Sequence, residues 1–504
     1  MPIPKVPFLQ YQILEVIFEN RLDSLYEIVG YPTNSLIVKS ALKSLEEKEL
    51  LTSDLKLTDS AIALVNNHYN ERHFFSSYSK EELQLSDNSI RKDLFGIIPS
   101  FKGNGSDPIF RWYKYLEDFP HIFVKDYLEK YKISNDYYVL DPFSGSGTTL
   151  IRAKLDGYKS IGTDVNPAMI FIAKQKLKWS LPPEKIANEY YKLVEAFQKI
   201  PESKMMDYMS KSNLRHMPRK ELDQWLSPIK QKEISSMEFL INKIKNVELR
   251  DLFLFILIRV AIDISYVSFC PGTTFYPFKA KPDFLYQFKE IVSNVVSDLQ
   301  IEDVVNAKEV DSLVLLENTK NHNYLDAYTG KIDVIITSPP YPNDLEYTRQ
   351  TRLEMYLLGY VKSMNDVQSI KRSMVKGSTK LIYMDDNPSR AVTKNKRVNS
   401  ITSELRERLK DKNWGFDYPK MIEMYYTDMY KALENYYRLL VPSGACILVV
   451  GDQTTKGVVN PVAKVLADFG KEIGFSSSKI ELHRKRRSTG HDIPIPEENL
   501  ILIK

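Results

Sequence analysis

Residues 138–149 read YVLDPFSGSGTT, a short apolar run that ends in an aspartate and a turn of small residues. Ser144, Gly145 and Gly147 allow the backbone to turn sharply and to approach a ligand closely. Pro142 fixes the backbone at the start of that turn. No Gly-Lys-Ser/Thr ending follows, which disfavours a phosphate-binding P-loop. The stretch therefore predicts a strand that passes through a ligand-binding turn into a helix.

Further short apolar runs alternate with helical periodicity, which indicates an α/β fold built on a parallel sheet. Between the second and third runs, residues 182–300 have helical periodicity and almost no strand signal. That length exceeds an ordinary connection, so it predicts a helical insertion. The strand candidates are Tyr138–Leu140, Ser160–Thr163, 307–310 (approximately), Val334–Thr337, Ala445–Val450 and Leu500–Ile503.

The N-terminal residues 1–75 form a separate unit in this pattern. Apolar residues at helical spacing predict three helices, and a small hairpin around 55–57 follows them. This order indicates a winged-helix-like domain, which either contacts DNA, mediates dimerisation or serves only as a packing module. A polar linker at 76–100 separates it from a larger domain made of 101–181 and 301–504.

Composition narrows the class of protein. The 504 residues are 43% hydrophobic and 27% charged with a net charge of +4, which is ordinary globular composition and permits a nucleic-acid partner without requiring one. Two cysteines, Cys270 and Cys446, cannot build a disulfide framework or a zinc site, and the histidines lack metal-ligand spacing. The apolar run 252–269 is interrupted by Arg259 and Asp263, so we expect a buried helix in a soluble, cytoplasmic protein without a bound metal.

A second segment carries chemistry: the apolar strand candidate Val334–Thr337 runs directly into Ser338-Pro339-Pro340-Tyr341. The prolines fix the backbone and lack N–H donors. The Ser338 hydroxyl and the Pro339 carbonyl are suited to accept the hydrogens of an exocyclic amine as its nitrogen becomes tetrahedral. Tyr341 offers a flat face to an extruded base. The alternative is a proline-rich turn in which Tyr341 only caps the core.

The second strand candidate also ends in a carboxylate, Asp164, which follows Asp141 by 23 positions. An acid about 20 residues beyond a glycine-rich turn is suited to accept the hydroxyl groups of a ribose. The alternatives are a helix cap ahead of Pro167 for Asp164 and a simple turn former for Asp141.

Together, residues 141–149 and 337–341 resemble the cofactor and catalytic motifs of the amino-methylating (cytosine-N4/adenine-N6), S-adenosylmethionine-dependent DNA methyltransferases. The string from Ser338 to Asn343 and on to Arg349 looks like the cytosine-N4 type. The cofactor motif comes first in the chain, which excludes the permuted class of the family. The resemblance covers about 101–180 and 307–504. It implies a Rossmann-like methyltransferase sheet, S-adenosylmethionine as cofactor and site-specific methylation of double-stranded DNA by base flipping.

The resemblance also implies roles for individual residues. Ser338, Pro339, Pro340 and Tyr341 would be catalytic. Asp164 would bind the ribose, and Asp311, expected at the end of the third strand, would contact the adenine amino group. Phe119, Pro120 and His121, in a helix expected over 111–131, would contact the methionine side. The full set of expected cofactor contacts is Asp141, Pro142, Phe143, Ser144, Gly145, Gly147, Thr148, Asp164, Asn166, Asp311 and Thr337.

Basic residues after the second motif suggest where DNA would be held. Arg349 and Arg352 follow it closely, and residues 361–420 are rich in basic side chains, which makes them a candidate target-recognition segment. The densest basic cluster is Arg484-Lys485-Arg486-Arg487. Each of these is either a phosphate contact or a solvated surface. A cognate restriction endonuclease is a further expected partner, and the oligomeric state stays open.

Three other functions remain open at this level. Adenine-N6 methylation would use the same motifs. An RNA guanine-amine methyltransferase carries a similar glycine-rich turn, but would be expected to bring an RNA-binding domain. A DNA-binding regulator with an inactive methyltransferase fold would have no reason to keep Asp141, Gly145 and Ser338.

Overall fold

The computed structural model describes most of the chain after residue 103. The winged-helix-like domain predicted at 1–75 and the linker at 76–100 lie outside the described residues, apart from six single positions. The described residues are 42, 43, 45, 46, 56, 58 and 104–504, except 106, 116, 132, 135, 270–272, 278–280, 414, 416 and 488–493.

A seven-stranded sheet lies at the centre of the described chain. The strands in chain order are Tyr138–Asp141 (β1), Ser160–Asp164 (β2), Val267–Ser268 (β3), Thr274–Phe275 (β4), Ser312–Leu316 (β5), Ile332–Thr337 (β6), Leu440–Gly451 (β7), Gln453–Thr455 (β8), Val458–Asn460 (β9), Ser477–Arg487 (β10) and Pro494–Ile503 (β11). The strand order is β10-β11-β7-β6-β1-β2-β5, while β3–β4 and β8–β9 form two small hairpins. Strand β11 runs antiparallel to both of its neighbours, β10 and β7, and the other neighbouring pairs in the large sheet are parallel. The predicted α/β class with a mainly parallel sheet is confirmed.

Helices cover both faces of this sheet. In chain order they are His121–Tyr131 (α1), Thr148–Leu155 (α2), Pro167–Leu177 (α3), Pro183–Gln198 (α4), Glu202–Lys211 (α5), Arg219–Trp225 (α6), Pro228–Ile241 (α7), Val247–Ile264 (α8), Phe284–Asp298 (α9), Glu302–Ala307 (α10), Tyr347–Gln350 (α11), Arg352–Leu357 (α12), Met364–Ser373 (α13), Arg390–Lys394 (α14), Lys396–Leu409 (α15), Asp417–Leu439 (α16) and Val462–Ile473 (α17).

The strands alternate their side chains between two cores, as period-two geometry requires. In β7, Ala445 and Ile447 join the core that includes α1, whereas Cys446 and Leu448 join the core that includes α16 and α17. Because both faces are buried, the central strands are almost continuously apolar. The sheet is therefore held between two helical layers.

The predicted strand at 307–310 is wrong. Residues Glu302–Ala307 form helix α10, which buries Val304 and Ala307, and the strand begins only at Ser312. Strand β5 then pairs with β2 from Ser160↔Ser312 to Asp164↔Leu316. Asp311 consequently precedes the strand instead of ending it.

The predicted insertion at 182–300 contains helices α4–α9 and the β3–β4 hairpin. It shares one apolar core with the helices beside the sheet, since Phe255 and Ile258 of α8 belong to the same cluster as Leu150 of α2 and Ala173 of α3. The expected buried helix is α8, in which Arg259 pairs with Asp263 at 2.8 Å. Among the described residues, no helix has the length and apolar character needed to cross a membrane.

The positions of β1 and β6 bring the two sequence motifs together. These strands are neighbours and run parallel, with Val139 opposite Val334 and Leu140 opposite Ile335. The carboxyl ends of parallel neighbours lie at the same edge of a sheet. The loops that follow Asp141 and Thr337 therefore start side by side.

Close packing of β2 against α2 gives a stability test. A Cβ on Gly162 would lie 2.3 Å from Leu150 Cδ1 and 2.9 Å from Ser144 Cβ. We expect Gly162→Ala to lower the free energy of unfolding by about 1–3 kcal/mol, because overpacking displaces well-packed neighbours. Urea denaturation measures this loss. In a Leu150→Ala background, which removes the nearest carbon, the same substitution should cost less, and an equal cost would contradict the packing argument.

Candidate active site

One cleft opens at the carboxyl edge of the parallel strands. Its walls include residues 142–145 after β1, 164–166 after β2, 317–319 after β5 and 338–341 after β6. The glycine-rich turn and the Ser-Pro-Pro-Tyr loop thus face the same space. The other lining residues are Tyr115, Glu117, Asp118, Phe119, Met169, Tyr347, Ser373, Met374, Val375, Val449 and Glu497.

Asp141 joins the ends of β1 and β6 from behind the cleft wall. Its Oδ1 accepts hydrogen bonds from Thr337 Oγ1 at 2.6 Å and from the Phe143 backbone N–H at 3.1 Å. Burial raises the pKa of Asp141 to about 6, although the hydrogen bond from Thr337 opposes this rise. Asp141 and Thr337, both expected to contact the cofactor, are buried and hold the two loops in register.

The glycine-rich turn uses two left-handed residues, Gly145 at φ +47° and Gly147 at φ +90°. A Cβ on Gly145 would lie 3.3 Å from the Tyr115 ring, so only glycine lets the backbone reach the cleft there without strain. Gly147 caps α2, and Thr148 is buried in the first turn of that helix, with its side chain beside Asp118. The buried Ser144 hydroxyl has no hydrogen-bond partner among the described residues, which leaves it available to a ligand.

Asp164 lies in the cleft with its carboxylate held by the backbone. Its Oδ2 accepts the Gly145 N–H at 3.2 Å and its Oδ1 accepts the Asn166 N–H at 2.8 Å. Burial raises the pKa of Asp164 to about 6, and these backbone bonds oppose the rise. Each carboxylate oxygen has a second lone pair, so Asp164 has the capacity to accept two hydroxyl groups. Asn166 lines the cleft and also caps α3 by accepting the Ala168 N–H.

The Ser-Pro-Pro-Tyr loop is fixed on several sides. The Ser338 hydroxyl donates to the Tyr341 hydroxyl at 3.5 Å, and the Tyr341 hydroxyl donates to the Val449 carbonyl at 3.4 Å. The Tyr341 backbone N–H donates to the Tyr347 hydroxyl at 3.3 Å. On the remaining side, a Cβ on Gly377 would lie 2.5 Å from the Tyr341 carbonyl oxygen. Pro339 and Pro340 line the cleft between these anchors.

The expected adenine contact of Asp311 is wrong. Asp311 is exposed, and its carbonyl accepts the Ser160 N–H at the amino end of β2, at the edge of the sheet opposite the cleft. Residues Glu317, Asn318 and Thr319, which follow β5, line the cleft in its place. The sequence signal for this strand end was the apolar run 313–316, which directly precedes Glu317-Asn318-Thr319.

The predicted helix at 111–131 begins only at His121, apart from a short 3-10 turn at Phe110–Trp112. The chain between them passes along the cleft and adds Tyr115, Glu117 and Asp118 to its wall. Phe119 lines the cleft and also belongs to the α1 core, whereas His121 points elsewhere and contacts Asp107 at 2.6 Å. Nothing in the local sequence pattern indicated the role of these three polar residues.

The expected DNA contact of Arg352 is wrong. Its side chain is buried and pairs with Glu221 at 3.2 Å and Glu346 at 3.4 Å, which ties α12 to the helical segment. Arg349 is exposed and borders a shallow groove with Lys220 and Gln224 of α6.

Seven of the fourteen basic residues in the segment 361–420 form ion pairs with carboxylates in the described part of the structure. These ion pairs include Lys371–Glu346, Lys376–Asp386, Arg397–Asp468, Arg406–Glu423 and Arg408–Glu404. Residues 484–487 lie on β10, and their side chains are outside the described part of the structure.

Comparisons with known proteins agree with this geometry. The sequence model of a family described as DNA methylase matches residues 41–175. The chain is 26% identical over 433 residues to the Type II methyltransferase M.AvaI of Nostoc sp., covering 80% of this chain and 85% of that protein. It is 24% identical over 440 residues to M.BsoBI of Geobacillus stearothermophilus (77% and 83%) and 22% identical over 354 residues to M.MvaI of Kocuria varians (66% and 74%). No solved structure matches the chain.

The raised pKa of Asp141 predicts a pH dependence of stability. Between its ordinary pKa of about 3.9 and the folded value of about 6, the folded state keeps a proton that the unfolded state releases. Stability therefore falls as the pH rises through this window. Asp141→Asn removes the charge and keeps an acceptor. We expect the free energy of unfolding of Asp141→Asn, measured relative to that of the wild type, to be about 1 kcal/mol more favourable at about pH 7.5 than at about pH 5.

Denaturation at the two pH values measures this change. Thr337→Val is the matched control, because it removes the donor and should lower stability more at the higher pH, where the carboxylate is ionised. A relative stability of Asp141→Asn that worsens as the pH rises would contradict the assignment.

Proposed function

We propose that this chain, which is similar to Type II DNA methyltransferases and matches a DNA methylase family model, uses S-adenosylmethionine to methylate N4 of cytosine at a specific site in double-stranded DNA. The observation that carries the proposal is the shared cleft, in which the Ser338 loop faces the glycine-rich turn. The similarity to Type II methyltransferases supports a place as the modification enzyme of a restriction-modification system, with a cognate endonuclease as partner.

The residues of the cleft fit the cofactor. Asp164 is placed to accept the ribose hydroxyls, Gly145 leaves room beside it, and the unpartnered Ser144 hydroxyl offers a further bond. Among the described residues, the lining has five carboxyl groups and no basic side chain, which favours a cationic ligand. S-adenosylmethionine supplies a methyl group whose bond to a cationic sulfur breaks as the base nitrogen attacks, with release of the neutral thioether and a proton. The lining carboxylates are Glu117, Asp118, Asp164, Glu317 and Glu497.

The Ser-Pro-Pro-Tyr loop would hold the target base. The Ser338 hydroxyl and the Pro339 carbonyl accept the two amine hydrogens, which supports tetrahedral geometry at the nitrogen. Tyr341 stacks on the ring of the flipped base, and its bond to Val449 fixes that ring in place. The excess proton leaves to water, so the proposal needs no general base. Serine before Pro-Pro-Tyr is the feature that favours cytosine over adenine.

A product analysis tests this function. The purified protein is incubated with methyl-labelled S-adenosylmethionine and duplex DNA, and the DNA is digested to nucleosides. We expect the label to co-elute with N4-methyldeoxycytidine and not with C5-methyldeoxycytidine, which has the same mass. Label in N6-methyldeoxyadenosine would move the target to adenine, and unlabelled DNA would overturn the proposal.

Ser338→Ala separates chemistry from cofactor binding. We expect turnover to fall by about 10²–10³, the usual loss for one placed dipole at a reacting centre, while calorimetry shows unchanged affinity for S-adenosylmethionine. Asp164→Ala is the complementary variant and should weaken that affinity roughly tenfold, since it removes a charged acceptor. Unchanged turnover of Ser338→Ala would remove Ser338 from the mechanism.

Arg349 is the first exposed cation after the catalytic loop in the sequence, and we propose that it contacts a phosphate. Arg349→Ala should reduce the slope of log affinity against log salt concentration by about 1. Lys192→Ala, at an exposed position on α4, is the control and should leave the slope unchanged. An unaltered slope for Arg349→Ala would assign this side chain to the solvated surface.

A further inference from the structure

Three polar side chains from different parts of the chain connect behind the glycine-rich turn. The Lys176 ammonium, on α3, donates to Ser146 Oγ at 3.1 Å, and Ser146 Oγ donates to Asp118 Oδ2 at 2.5 Å. Asp118 belongs to the segment before α1 and lines the cleft. The three residues therefore link the interior of the protein to the cleft wall.

Lys176 is in an unusual position for a charged residue. It is 0% exposed, and among the described residues Ser146 Oγ is the acceptor to which its ammonium hydrogen-bonds. Burial of a charge with so few partners is unfavourable, and an apolar side chain of similar size usually gives a more stable fold. Burial lowers the pKa of Lys176 to about 8, and nearby Asp118 counteracts this. A role in stability alone does not account for this lysine.

Asp118 and Asp164 lie on either side of the Gly145 turn. Asp164 Oδ2 accepts the Gly145 N–H, and Asp118 Oδ1 lies 3.8 Å from the point that a Cβ on Gly145 would occupy. With Asp164 assigned to the ribose, Asp118 is the neighbouring carboxylate of the cleft that the amino-acid end of S-adenosylmethionine would meet across Gly145. That end carries an ammonium group, for which a buried carboxylate is a strong partner.

We infer that Asp118 binds the α-ammonium group of S-adenosylmethionine, and that Lys176, acting through Ser146, is a positioning residue that keeps Asp118 ionised and oriented. This inference rests on S-adenosylmethionine as the cofactor and does not depend on which base is methylated. It assigns a functional reason to a charge that the fold itself does not need.

The charges around Asp118 support this role. Burial raises the pKa of Asp118 to about 6, whereas Lys176 and the hydrogen bond from Ser146 lower it. The other titratable groups near it, Glu117 and Tyr115, come from its own segment; burial raises the pKa of both, and the charge of Asp118 adds to this rise. Without Lys176, the carboxyl would hold its proton to higher pH and lose its attraction for an ammonium group.

Calorimetry of the full chain with three ligands tests the inference. S-adenosylmethionine and S-adenosylhomocysteine carry the amino-acid end, and 5′-methylthioadenosine lacks it. Lys176→Met and Asp118→Asn should each weaken binding of the first two roughly tenfold or more, the usual effect of a lost charged hydrogen bond, and leave the third unchanged. Lys174→Met, an exposed position on the same helix, should alter none of them.

Two readouts separate positioning from a structural role. In Lys176→Met the lost affinity should return as the pH rises and Asp118 ionises again, while the wild type should lose affinity as the pH falls through about 6. The double variant Lys176→Met/Asp118→Asn should unfold at no lower denaturant concentration than the wild type, because both members of the buried pair lose their charge together.

Equal weakening of all three ligands, or of none, would overturn the inference. A wild type that binds none of them would refute the cofactor as well. A wild type that binds all three as expected, but leaves DNA unmethylated, would overturn the proposed function alone.

Discussion

The hydrogen bond between the Thr337 hydroxyl and the Asp141 carboxylate is the constraint on which the cleft depends. It joins the ends of two neighbouring strands whose residues are 196 positions apart in the chain. The same carboxylate oxygen also holds the Phe143 N–H, so one buried group sets the start of both loops. Water does not compete for it, because Asp141 is 1% exposed.

Burial of carboxylates is the second theme of the site. Asp118, Asp141 and Asp164 all have their pKa raised to about 6 by burial, and each is held by donors from the backbone or from a hydroxyl group. Asp141 binds the protein's own donors and fixes the two loops, while Asp118 and Asp164 face the cleft. The protein thus keeps negative charge where solvent is scarce and a cationic ligand meets little competition.

The sequence predicted the parts of the fold that depend on local patterns. The turn after β1 and the strands β1, β2, β6 and β7 combine apolar runs with small or proline residues, and these signals lie within a few positions. Strand β5 was misplaced by a few residues because helix α10 ends just before it and buries Val304 and Ala307, so apolar residues precede the strand as well as forming it. Arg352 was misread because its partner Glu221 lies 131 positions away, beyond any local pattern.

The order of strands in the sheet has a consequence for synthesis on the ribosome. The outer neighbours of β1 and β2 are β6 and β5, and both follow the long helical segment in the chain. The growing chain therefore holds a two-stranded ribbon with both edges open, which is the state in which strands recruit foreign chains. The helical segment folds through local contacts and packs against α2 and α3, the helices that follow the two strands of this ribbon. The glycine-rich turn acquires its final shape only when residue 337 has left the exit tunnel.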